Sequence, residues 1–324
     1  MIYNEQEARA LVIEAGHRLL ESKLIARTWG NISARISDQE FIITPSGRAY
    51  DTLQPDDLVK VKIQDLSYEG SRKPSSEKGI HATVYALRPE AGFVIHTHQF
   101  YASTLAAAGK TMPFAPCAGY GLPGTGKLKN AVRISLELFP DQNSFLMARH
   151  GALCVGDTLE AAFQEATQLE TFAQAAFESQ VGVLTKEGSP AFDAAALSGF
   201  ARFVTTPIAK AFSDKVKPLL PYLDDFAQIA GPSARMLKIK GADPSTLCQK
   251  AMKKLKGRNA LMIPGCGILC TAKDEDDLEA VCMIAEKTAA AALYAETEKP
   301  LSLPDAALQR IVYLKKYSKQ KNNQ

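Results

Sequence analysis

Two stretches of this chain share one frame. FLMARHGALC, from Phe145 to Cys154, and LMIPGCGILC, from Leu261 to Cys270, align with His150 over Cys266. Each is followed by an acidic helical run, DTLEAA after the first and DDLEAV after the second. A frame that recurs predicts two similar units, which usually pack about a pseudo-twofold axis. Residues 182–200, GVLTKEGSPAFDAAALSG and its flanks, read as a linker. The stretch 191–265 is too short to repeat everything that precedes His150. The second copy is therefore a truncated repeat, expected to lack counterparts of the first ~70 residues.

The length of 324 residues, with 46% hydrophobic and 23% charged residues, suits two globular units with buried cores. A net charge of +3 makes no case for nucleic acid, and the basic tail at 315–324 reads as a solvated terminus. At the amino terminus Ala8, Leu11, Val12, Ala15 and Leu19 recur at helical spacing, so the segment is an amphipathic helix and not a secretion signal. No apolar run approaches the ~20 residues that span a bilayer. Six cysteines, none in a C-x-x-C pair, read as reduced thiols of a cytoplasmic protein rather than as a zinc site.

Strand-like runs are expected at 31–37, 41–44 and 58–63, the last alternating with period two, and turn-rich loops separate them. A helix over about 78–88, a strand over 92–98 and a helix over about 100–108 follow. Another strand–turn–strand at 144–155 leads into a long helix over about 158–180. Helices interleave with strands, which predicts an α/β fold with a mixed sheet.

Within that frame HTH is the strongest chemical signal. Side chains two apart on a strand share a face, so His96 and His98 project together as a pair of zinc ligands or as surface histidines. His150, where a strand ends at a glycine, supplies a third ligand, and three ligands with an open position is the pattern of a catalytic metal. His17, on the first helix, is read as packing or exposed. His81, four residues after Glu77, is left outside the ligand set. The turns at Gly30-Asn31, Thr44 to Gly47 and Pro74 to Glu77 offer backbone N–H, hydroxyl and amide donors to an anion, or serve as ordinary turns and a helix cap. Glu77 is either a first-turn glutamate or a general acid/base.

The ordered set GNIS…ITPSG…PSSE…HTHQ…RHG across about 1–180 resembles the class II aldolase/adducin family. The resemblance implies a three-layer α/β/α fold around a largely antiparallel sheet, with 1–190 as the catalytic domain and 200–324 as a degenerate, structural repeat. It implies that His96, His98 and His150 hold Zn²⁺ or another divalent metal, that Glu77 is the catalytic acid/base, and that Gly30, Asn31, Ser46, Gly47, Ser75 and Ser76 bind phosphate. A ketose 1-phosphate would be cleaved through an enediolate to dihydroxyacetone phosphate and an aldehyde. The partners implied are a small sugar phosphate and further copies of the chain in a homo-oligomer, with no nucleic acid and no membrane. The family also contains sugar-phosphate dehydratases and decarboxylases, and adducin-like interaction modules without catalysis. Aldolases of the family carry a tyrosine where this chain has Cys117, with Tyr120 nearby as a substrate contact, and often a histidine where Arg149 stands. In the second copy DFAQIAGP (225–232) is expected to match GFVIHTHQ, with Ile229 and Gly231 in the histidine places.

Overall fold

A computed structural model describes residues 2–25, 28–197, 199–238 and 243–317. The chain separates into two compact units, 1–175 and 176–324.

In the first unit, α1 (Glu5–Glu21) is capped by the Asn4 side chain, which accepts from the Glu7 backbone N–H, and carries Glu5 and Glu7 in its first turn. Both features stabilise a helix amino terminus. Ala8, Val12, Ala15 and Leu19 are buried, and His17 is exposed. Strands β1 (Asn31–Arg35), β2 (Glu40–Ile43) and β3 (Val59–Lys62) form an antiparallel meander. Then come α2 (Lys78–Leu87), β4 (Phe93–Thr97), α3 (Phe100–Ala106), β5 (Cys117–Ala118), α4 (Gly126–Leu138), β6 (Ser144–Met147), β7 (Gly151–Gly156) and α5 (Leu159–Val181). The sheet order is β3-β2-β1-β4-β7-β6-β5, antiparallel throughout except for the parallel β5–β6 pair.

Strand side chains alternate between two faces. Phe41, Ile43, Val94, Leu153 and Val155 pack with Ile80 and Val84 of α2 and Leu128 and Val132 of α4. On the opposite face Ser144 donates to Glu165 of α5 at 2.6 Å, and Tyr3, just before α1, meets Phe93 edge-on. The result is a three-layer α/β/α unit. Its register sets Asn31 opposite His96 and Thr97 opposite Ala152. Three separate segments therefore meet at one end of β4.

The second unit contains β8 (Phe200–Val204), α6 (Pro207–Ser213), α7 (Asp224–Ile229), β9 (Arg235–Met236), α8 (Pro244–Leu255), β10 (Ala260–Ile263), β11 (Gly267–Ala272), α9 (Glu275–Tyr294) and α10 (Leu303–Val312). Its sheet order is β8-β11-β10-β9, with only β9–β10 parallel. These are the order and senses of β4-β7-β6-β5. Helices also fall at matching places: α6 follows β8 as α3 follows β4, α8 joins β9 to β10 as α4 joins β5 to β6, and α9 follows β11 as α5 follows β7. The two hairpins agree in detail. The His150 N–H donates to the Met147 carbonyl at 3.0 Å and the Cys266 N–H to the Ile263 carbonyl at 3.0 Å. The residues before them, Arg149 at φ 63° and Gly265 at φ 73°, are both left-handed.

This register corrects the expected alignment of the second copy. Residues 225–229 are helical, inside a segment bridged at Leu219 and Ala234, where the first unit has a short turn bridged at Met112 and Ala115. The strand paired with β11 is β8, and its register puts Phe203 in the place of His96 and Thr205 in the place of His98. No histidine survives in β8 to mark the match, and the insertion before Ala234 shifts the spacing. The missing part also reaches as far as β4, beyond the first ~70 residues expected. Among the described residues no helix is long and apolar enough to cross a membrane.

Candidate active site

The site is built at the end of β4, where His96 and His98 face the same way. Close backbone approach on both flanks makes this possible. A Cβ on Gly30, which has φ 91°, would lie 2.5 Å from the His96 carbonyl oxygen. A Cβ on Gly151 would lie 2.2 Å from the Thr97 carbonyl oxygen. Only glycine lets the start of β1 and the turn before β7 close onto β4 so tightly. The second of these contacts brings His150 to the two strand histidines.

The imidazoles fit a metal ion. His96 Nδ1 donates to the Ala152 carbonyl at 2.7 Å, so its Nε2 carries a lone pair, and that atom lies 3.1 Å from His98 Nε2. The His96 and His150 rings stack with centroids 4.8 Å apart, and one ligand atom from each of the three residues lies within 4.8 Å of the others. His96 and His150 are buried and His98 is partly buried. Nitrogen lone pairs facing one another repel unless a proton or a cation lies between them. A carbonyl holding the far nitrogen of a ligating imidazole is the usual outer support of a metal-bound histidine. An all-imidazole donor set of three suits zinc and neighbouring divalent transition metals.

Glu77 stands at the amino end of α2 with its carboxylate turned into the cluster. Its Oε1 lies 2.9 Å from His150 Nε2 and its Oε2 lies 3.3 Å from His96 Nε2. Burial pushes this carboxyl up, but its electrostatic and hydrogen-bond interactions with His150 and His96 outweigh that and hold it well below the ordinary carboxylate range. Asn31 Nδ2 donates to Glu77 Oε2 at 3.0 Å. Behind Asn31 lie His81, Ser33 and Tyr85, all buried. Burial pushes the His81 imidazole down to about 3, so the ring is neutral.

The polar turns also converge. The Ser46 N–H donates to the Lys73 carbonyl and the Ser75 N–H to the Thr44 carbonyl, both at 3.0 Å, so TPSG and PSSE form one bridged pair. Ser75 Oγ accepts from the Glu77 N–H at 3.2 Å, and Ser76 is exposed. Gly47 has φ 76°. Both serines lie at the amino end of α2, where the helix dipole favours an anion. Gly124 approaches the Ser76 carbonyl, and the Arg149 guanidinium lies 5.6 Å from the centre of the Tyr120 ring. Tyr120 therefore stands beside the residue that precedes His150.

The structure brings Glu77, His96, His98 and His150 together, ties Asn31 to Glu77, and sets Gly30 against His96. Sequence reading missed the row of His81, Ser33 and Tyr85 behind Asn31. The signal was present: residues 77, 81 and 85 share one face of a helix, and residues 31 and 33 share one face of a strand.

The family described as Class II Aldolase and Adducin N-terminal domain matches residues 10–177. The 5-deoxy-D-ribulose 1-phosphate aldolase of Bacillus thuringiensis serovar kurstaki is 32% identical over 187 residues, 54% of this chain and 86% of that protein. The 5-methylthioribulose-1-phosphate/5-deoxyribulose-1-phosphate aldolase of Rhodospirillum rubrum is 33% identical over 175 residues, 50% of this chain and 77% of that protein. A solved L-fuculose 1-phosphate aldolase is 27% identical, covering 53% of this chain and 86% of its own, with a TM-score of 0.49. With a family match over more than half its length, and with aldolases as its named relatives, this chain belongs to the class II aldolase and adducin N-terminal domain family, as a lyase.

Proposed function

We propose that the chain is a zinc-dependent aldolase that cleaves a ketose 1-phosphate to dihydroxyacetone phosphate and an aldehyde. One observation carries the reading: three imidazoles converge with a buried carboxylate 2.9 and 3.3 Å from two of their nitrogens. The named substrates of two relatives, 5-deoxyribulose 1-phosphate among them, are ketose 1-phosphates and support the substrate class. His96, His98 and His150 would hold the metal, which when bound supplies Lewis acidity to the substrate carbonyl. Glu77 moves the proton at the reacting carbon. Ser46, Ser75, Ser76 and the backbone at Gly30 and Gly47 receive the phosphate, with the second amide N–H of Asn31, the first being given to Glu77. The solvated setting of such a reaction is the cytoplasm, and the assembly is a homo-oligomer.

Residues 1–190 form the catalytic domain in this reading, and 200–324 form a degenerate repeat without catalysis. Phe203, Thr205 and Cys266 stand where the first unit has its three histidines, and they cannot together hold a metal. The test is elemental analysis of the purified protein, with an assay of dihydroxyacetone phosphate release from 5-deoxy-D-ribulose 1-phosphate and L-fuculose 1-phosphate. One zinc per chain and release from a ketose 1-phosphate are expected. Protein that takes up no zinc, or zinc-loaded protein that releases no dihydroxyacetone phosphate from either, overturns it.

A further inference from the structure

Behind Glu77 runs a single row of buried polar groups, and the placement of the Asn31 amide sets the direction of the hydrogen bonds in it. Asn31 Nδ2 lies 3.0 Å from Glu77 Oε2, and an amide nitrogen only donates. The Asn31 carbonyl oxygen then faces His81 Nε2, which must carry the ring proton and donate. A neutral ring protonated at Nε2 leaves Nδ1 as an acceptor, so the Ser33 hydroxyl, 2.6 Å away, donates to it. The Ser33 oxygen, its own hydrogen committed, accepts from the Tyr85 hydroxyl at 2.7 Å. Four donors thus point one way, from Tyr85 through Ser33, His81 and Asn31 to Glu77.

We propose that His81 is a positioning residue for Glu77: it locks the Asn31 amide in the one orientation that donates to the carboxylate. This rests on the reading of Glu77 as the acid/base. The flipped amide would set its carbonyl against the carboxylate and its NH₂ against the His81 Nε2–H, so His81 holds from behind the orientation that Glu77 meets from the front. The ring is neutral because it is buried, and a protonated imidazolium would take from Ser33 the acceptor it needs. The Asn31 carbonyl oxygen, which only accepts, sets the tautomer, and the Ser33 and Tyr85 hydroxyls accommodate it from the other side. Packing supports the far end, since the Arg35 guanidinium lies 5.0 Å from the centre of the Tyr85 ring and donates to the Tyr85 carbonyl.

The test uses the full-length protein supplemented with zinc. Long-range ¹H–¹⁵N spectra of the histidine rings, with the His81 signals identified by their loss in His81→Gln, should show a proton on Nε2 and none on Nδ1. A His81 ring protonated at Nδ1 overturns the proposal without any reference to activity. The second arm measures zinc content and the cleavage of 5-deoxy-D-ribulose 1-phosphate. His81→Leu should keep its zinc and its KM while kcat falls by on the order of ten- to a hundredfold, the usual scale for outer partners of a site. His81→Gln, whose amide N–H stands near the ring Nε2 position, should restore kcat to within about threefold of wild type, a rescue that a merely space-filling role would not give. Unchanged kcat in folded, zinc-bound His81→Leu overturns the proposal, and so does a folded, zinc-bound His81→Gln that stays slow. If His81→Leu does not fold, the glutamine variant and the spectra still decide it. A wild type that cleaves neither this probe nor L-fuculose 1-phosphate sinks the aldolase reading instead, and the tautomer measurement stands apart from it.

Discussion

A methyl group placed on Gly151 is a wedge driven into the metal cluster. Its carbon would lie 2.2 Å from the Thr97 carbonyl oxygen and 3.2 Å from Cε1 of His96. Relieving the first contact to an ordinary ~3.2 Å moves β7 away from β4 by roughly 1 Å. Overpacking of this size costs about 1–3 kcal/mol, which for a unit of this length lowers Tm by roughly 2–10 °C. The same displacement separates His150 from His96 and His98, and a misplacement of ~1 Å costs on the order of a hundredfold in rate. Gly151→Ala should therefore lose both stability and zinc affinity. The equivalent glycine of the second unit is the control. A Cβ on Gly267 would lie 2.1 Å from the Val204 carbonyl oxygen, and its φ of 128° adds strain, so Gly267→Ala should cost at least as much stability. It should leave zinc affinity unchanged. Calorimetry and competition with a chromophoric zinc chelator read the two quantities separately. Equal loss of zinc affinity in both variants would refute a metal centre confined to the first unit. A Gly151→Ala protein with wild-type Tm and zinc affinity would refute the wedge.

Further outcomes follow from the same geometry. Glu77→Gln should keep its zinc and lower kcat by at least ~10²-fold, the scale of general acid/base groups, and a loss confined to KM would assign Glu77 to binding. Cys266→Ser should leave zinc content and turnover as in wild type, because Phe203 and Thr205 supply no companion ligands; loss of a metal would show a second site. Removing the phosphate from the substrate should raise KM strongly, and equal kcat/KM for the free sugar and its phosphate would overturn the assignment of the TPSG and PSSE turns.

The interleaving of strands and helices was legible because the relevant patterns are local, whereas the three-layer arrangement was implied only by the family resemblance. Alternation in LVKVKI marks a strand, and the spacing of Ala8, Val12, Ala15 and Leu19 marks α1 and its buried face. The strand histidines were legible for the same reason, since period two is a property of the backbone. His150 was legible only through the glycine beside it, which signals a turn but not its destination; the β4–β7 pairing decides that. The row behind Asn31 joins a strand to a helix nearly fifty residues later, and no local pattern states that β1 and α2 present those faces to each other. The second copy shows the opposite failure. Its hairpin keeps the frame while β8 has lost the side chains that would identify it, so the match survives in the hydrogen bonds of the sheet and not in the letters.

In the larger sheet β4 is an interior strand, with β1 on one side and β7 on the other, whereas among the described residues β8, its counterpart, has a strand neighbour only in β11. A strand at the margin of a sheet offers unpaired backbone groups to any passing extended chain. Phe200 is exposed there, which adds to the hazard of self-association. Two features blunt it. The Gly188 N–H donates to the Thr205 carbonyl at 2.7 Å, occupying one end of that margin. Arg202, in the middle of the strand, is held by Glu275 and by Glu279 and sets a fixed charge among the apolar residues. A strand that is interior in the larger sheet is thus a margin in the smaller one, and a charged arginine in its middle is the kind of residue that discourages edge-to-edge pairing.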